Sequence, residues 1–64
     1  MPYDFAAEAA RHREMAQEYR TVGELFLDEG MRVHYRELAE AFDGLADNEL
    51  RVADNLRQAP VQPD

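Results

Sequence analysis

His12 and Glu49 are the residues of this chain whose chemistry most needs explaining. Each falls on the apolar stripe of its own segment, where a leucine or valine would be expected. An imidazole and a carboxylate brought together can lock a packing register, hold a metal ion or move a proton. Two local pairs offer the same groups on single helical faces. Glu8 and His12 are four residues apart, and His34 and Glu37 are three apart. Carboxylate-bridged metal sites of helical bundles use Glu-x-x-His. Here the patterns are Glu8-x-x-x-His12 and His34-x-x-Glu37. The metal candidates are therefore His12 and Glu49, doubled by two-fold symmetry, and the expected reading of that pair is a hydrogen-bonded polar layer. His34 and Glu37 are expected as an exposed pair. No resident metal or cofactor is expected.

Other catalytic equipment is sparse. Ser and Cys are absent, and Thr21 is the only aliphatic hydroxyl. Gly23, Gly30 and Gly44 are scattered, so they form no phosphate-cradling loop. Tyr3, Tyr19 and Tyr35 recur at helical spacing, the latter two within the packing stripe. We expect no enzyme. The missing cysteines exclude disulfides, Cys-type zinc sites and thiol nucleophiles. Fourteen Asp and Glu face seven Arg, giving a net charge of −7, and every basic residue is Arg. Arg in place of Lys, with abundant Ala, suggests a GC-rich bacterial genome. This charge argues against direct nucleic-acid binding, which needs cations along phosphates. It leaves open an acidic inhibitor or nucleic-acid mimic that meets a basic partner. No apolar stretch approaches the roughly 20 residues of a membrane span. The N-terminus lacks a basic region followed by an apolar one, so it does not resemble a secretory signal. A cytoplasmic protein with no membrane contact is expected.

The elements that must position these residues are two helices, about 4–27 and 29–58. The prolines, Pro2, Pro60 and Pro63, all lie outside those spans. Asp4 can cap the first helix, with Glu8 in its early turns. Phe5, Ala9, His12, Ala16, Tyr19, Gly23 and Phe26 step by four and three. So do Met31, Tyr35, Leu38, Phe42, Leu45, Glu49, Val52, Leu56 and Ala59. That alternation is the seam of coiled-coil packing. Ala39, Ala46 and Ala53 widen the second stripe, and Met15 and Val22 widen the first. Arg11, Arg13 and Arg20 interleave with Glu14, Glu18 and Glu24, which predicts local ion pairing; Asp47 and Arg51 form another such pair. Asn48 and Asn55 lie beside the seam, most simply in solvent.

The turn lies within FLDEGMR, and two placements compete. Gly30 could end the first helix as a left-handed cap. Alternatively Asp28 caps the second, which puts Asp28 and Glu29 at a favourable positive helix end. The first placement pairs Phe5 with Leu56, His12 with Glu49, Tyr19 with Phe42 and Phe26 with Tyr35. The second moves the register one heptad, so that Tyr19 meets Tyr35 and His12 meets Phe42. Helix electrostatics favours Asp28 as the cap; the match of the two polar seam residues favours the other register.

The whole chain, 1–64, reads as one all-α domain: an antiparallel two-helix hairpin with a coiled-coil-like seam and a flexible tail at 59–64. A lone hairpin is one layer thick and cannot cover stripes this wide. Two hairpins could bury them in a four-helix bundle; a larger protein partner would serve equally. The expected interface residues are Met15, Tyr19, Val22, Phe26, Leu38, Phe42, Leu45, Leu50, Val52 and Leu56. The expected function is that of a non-enzymatic accessory or adaptor protein, with the acidic inhibitor and the metal-binding bundle as alternatives.

The stretch from Asp28 to Ala46 has an acidic turn, Met31-Arg32, the aromatic Tyr35, Leu38-Ala39, and Leu45-Ala46 seven residues on. It resembles short uncharacterised helical-hairpin proteins frequent in alphaproteobacteria, and Met15-Ala16-x-x-Tyr19-Arg20 is similar to their first helix. Those proteins usually carry Pro after the turn Asp, where this chain has Glu29. The resemblance implies a hairpin and no particular activity.

Overall fold

In the computed structural model, which describes residues 3–58, the chain forms two antiparallel helices, α1 (Phe5–Glu24) and α2 (Glu29–Gln58). The expected tail at 59–64 lies outside the described residues. At 20 and 30 residues, the helices span about 30 and 45 Å. Asp4 caps α1 as expected. Its backbone is extended, its side chain accepts from the Ala7 N–H at 3.0 Å, and its carbonyl accepts from Glu8 at 3.1 Å.

α1 stops about one turn short of its expected end. The Leu25 N–H donates to the Val22 carbonyl at 3.0 Å, tightening the last turn, and Phe26 N–H reaches Gly23 at 3.3 Å. The chain then turns so that the Phe26 ring stacks on Tyr35, with centroids 5.2 Å apart. Asp28 caps α2: its side chain accepts from the Met31 N–H at 3.1 Å and its carbonyl from Arg32 at 3.1 Å. Gly30 lies inside the first turn of α2, and no described residue has a positive φ. The glycine cap is therefore absent, at a helix-propensity cost of about 1 kcal/mol for Gly30.

The two registers turn out to be one arrangement. Tyr19 sits between Phe42, stacked at 5.3 Å, and Tyr35 at 5.8 Å. His12 sits between Glu49, at 2.8 Å, and the Phe42 ring, at 5.7 Å. Each α1 side chain enters the space between two α2 side chains one heptad apart, which is knobs-into-holes packing. Cap position and register were therefore never linked. A short loop capped by Asp28 delivers the His12–Glu49 contact.

The seam of α2 needs correction. The residues facing α1 run Tyr35, Ala39, Phe42, Ala46, Glu49, Ala53. Ala39 and Ala46 are fully buried, as are Ala9 and Ala16 on α1. Leu45 and Val52, expected in the seam, remain 43% and 39% exposed. The small residues win the contact because they let the two backbones approach. The approach at Gly23 is close: a Cβ there would lie 2.9 Å from the Cβ of Tyr35.

Candidate interaction surface

The helical repeat sorts the remaining side chains onto two flanks of this seam. On one flank, Arg13 pairs with Asp47 at 2.8 Å and Arg20 with Asp43 at 2.6 Å. These bridges replace two expected local patterns. Arg13 and Arg20 reach across to α2 instead of pairing with α1 glutamates. Asp47 is held by Arg13, while Arg51 donates to Asn48. Exposed pairs of this kind contribute about 0–1 kcal/mol each, but together they close this flank with charge. Towards the turn, the same flank holds a shallow cleft of about 340 Å³ lined by Arg20, Gly23, Glu24, Arg32, Arg36 and Glu40. Its guanidinium and carboxylate groups are of mixed sign, so it presents no concentrated charge.

The opposite flank is apolar. Met15 and Val22 of α1 lie there with Met31, Leu38, Leu45, Val52 and Leu56 of α2. Met15 and Leu38 are half-buried and the other five exposed. Leu38, Leu45 and Val52 are spaced by seven, which is the spacing of a second seam. They run beside the alanine column that α1 already covers. Tyr35, Phe42 and Glu49 lie between the two columns and border both. Tyr19, Phe26 and Phe42 are half-buried by their contacts inside the hairpin.

Leu50 is placed apart from the rest of the expected interface. It is seven residues from Asp43 and from Arg57, so it rides on the ion-paired flank, 41% exposed. Leu25 and Leu27 project from the turn, Leu27 at 99% exposure.

His12 and Glu49 meet in the seam, where it borders the apolar flank. Nδ1 of His12 lies 2.8 Å from Oε1 of Glu49, with both side chains mostly withdrawn from solvent. A carboxylate can only accept, so Nδ1 carries the proton and Nε2 is left without a role in this contact. Glu49 is the one buried charged residue among those described, at 8% exposure, and no buried side-chain polar atom there lacks a partner. Beside the pair, Glu8 is engaged by Arg11. Nearby Tyr3 has its phenol pushed above the ordinary value, first by desolvation and then by the Glu8 and Glu49 carboxylates. As a pair, His12 and Glu49 supply two donors. Among the described residues, no group of three or more His, Cys, Asp or Glu side chains is placed to hold a metal ion. His34 and Glu37 are both exposed, the His34 ring edge-on to Tyr35 at 5.7 Å.

Among the described residues, no helix is long and apolar enough to cross a membrane. Compared with known proteins, the chain matches no family model, no curated protein and no solved structure. The cross-helix ion pairs were the feature that sequence reading missed. A signal for them was present. Arg13 and Arg20 are seven apart, and Asp43, Asp47 and Asp54 step by four and seven beside the alanine column. Charges at such positions flank a helical seam.

Proposed function

We propose that this protein is a non-enzymatic accessory or adaptor protein that works by presenting its apolar flank to another polypeptide. The reading rests on one observation: α2 carries two heptad columns side by side, and α1 covers only the alanine one. Helices that need a single partner carry a single narrow stripe. The leucine column therefore suits a further helical layer, supplied by a second copy in a four-helix bundle or by a larger protein. The scarcity of nucleophiles and of convergent acid–base groups supports a binding role over a catalytic one. The acids are divided between cross-helix ion pairs and outward positions on both helices, which favours this reading over charge mimicry.

Site-specific photo-crosslinking in the native cell tests it. A crosslinking residue at Leu45 or Val52 should give covalent protein adducts, while one at Arg36 or Glu40 on the other flank should give few. Equal labelling from both flanks, or none from Leu45 and Val52, would overturn the proposal.

A further inference from the structure

We infer that the layer covering the apolar flank is a second copy of this chain, and that folding and pairing are a single step. The inference rests on the reading of that flank as a protein-binding surface. Three observations select the occupant.

The first is how little one copy buries. Among the described residues, the fully buried apolar ones are alanines, and no large side chain is fully buried. Alanine burial brings little hydrophobic stabilisation, and a chain of 64 residues has little to spare against conformational entropy. Disulfides, a common remedy at this size, are ruled out by the lack of cysteine. The missing stabilisation must come from the uncovered flank, and it must be present whenever the chain folds. A second copy is made with the first and in equal amount. Obligate dimers without a stable folded monomer follow this logic.

The second observation is charge. Each copy carries a net charge of −7, so two copies repel over most of their surfaces. Two of the acids bordering the apolar flank are already answered within the copy, Glu8 by Arg11 and Glu49 by His12. Two acidic chains meet less repulsion there than over the exposed acids elsewhere on the surface. A basic partner would gain nothing from that neutral patch and would choose the exposed acids instead.

The third is the state of the buried polar contact between His12 and Glu49. A two-fold interface sets the same surface against itself, so His12 and Glu49 would enter the interior from both sides. An unpaired carboxylate would make that costly. This one arrives with its hydrogen-bond partner at 2.8 Å, so each copy brings a satisfied pair.

Sedimentation equilibrium and circular dichroism of the full chain test the inference, over about three decades of concentration. The expected result is a two-chain mass, with helicity and melting temperature falling together on dilution. Leu45 and Leu50 make a matched pair of controls, on one helix at 43% and 41% exposure but on opposite flanks. Leu45→Glu should weaken pairing by at least about a hundredfold, and Leu50→Glu by less than about threefold. Leu45→Glu is expected to unfold on dilution; Leu50→Glu and the parent chain keep the test decisive if it fails to fold at all. Equal effects of the two variants, a mass other than two chains, or a folded monomer with a concentration-independent melting temperature would overturn the second copy. In that last case, adducts to a different protein from a crosslinker at Leu45 would leave the interaction flank standing. No adducts would remove both readings.

Discussion

Two columns of residues run side by side along α2, one residue out of phase. Ala39 and Ala46 are fully buried, with Ala53 half-buried at the end of their column. Leu45 and Val52, in the other, stand more than a third exposed. Burial has gone to the less hydrophobic column. The reason is distance, because helices carrying alanine and glycine can approach until their backbones nearly touch, and bulky side chains are then displaced to the sides. In this hairpin the small residues set the closeness of the pair. The large ones are left to face a further layer. Hydrophobicity ranks what would be favourable to bury; side-chain size decides which contact buries it.

The most direct way to break that difference is to exchange the sizes. Ala46→Leu places three extra carbons where there is no space, at 0% exposure. We expect a loss of about 3 kcal/mol in denaturant unfolding, because overpacking a fitted contact forces the helices apart. Leucine one residue earlier in the sequence is tolerated, so an unchanged midpoint would show that the alanine column is not the seam. Next in size is the polar contact bordering both columns. His12→Ala leaves the Glu49 carboxylate at 8% exposure without its partner, for an expected loss of about 2–3 kcal/mol. Glu49→Gln should cost less, since an amide oxygen still accepts from Nδ1. Equal losses from the two variants would mean that charge, rather than a satisfied hydrogen bond, holds the pair.

These cases also mark how far the sequence was legible. The spacing of Phe5, His12, Tyr19 and Phe26 located the α1 contact face, because a helix has only one way to bring such residues into line. The proline-free spans located both helices, and Asp4 and Asp28 both act as the caps their types suggest. The α2 seam was misassigned because heptad spacing holds equally for Leu38, Leu45, Val52 and for Ala39, Ala46, Ala53. Periodicity identifies a stripe but does not choose between two adjacent stripes. That choice depends on how closely the backbones approach, which is a joint property of both helices. Ion pairs show the same limit. Arg13 and Arg20 had plausible partners along α1, and only the inter-helix geometry sends them to Asp47 and Asp43. The pairing of His12 with Glu49 was legible only as one of two open registers, suggested by two polar residues in otherwise apolar stripes.

Gly23, in the last turn of α1, and Gly44, in the middle of α2, sharpen the contrast further, with opposite signs. At Gly23, alanine would gain up to about 1 kcal/mol of helix propensity. Its Cβ, however, would meet the Tyr35 Cβ at 2.9 Å. That atom is fixed to the backbone and cannot swing away, so α1 and α2 must separate locally. A net destabilisation of about 1–2 kcal/mol is expected, measured as a lower unfolding midpoint.

Gly44 presents the reverse case. A Cβ there meets nothing within 4 Å, and the residue is exposed, away from the α1 contact. Gly44→Ala should therefore stabilise the fold by about 0.5–1 kcal/mol, through the restricted unfolded chain and better helix propensity. The same variant separates the flanks in the assembled protein. If the covering layer sits on the Leu38, Leu45 and Val52 column, position 44 stays in water and the gain survives at every concentration. A gain that disappears as concentration rises would place the covering layer over Gly44 and on the wrong side of α2.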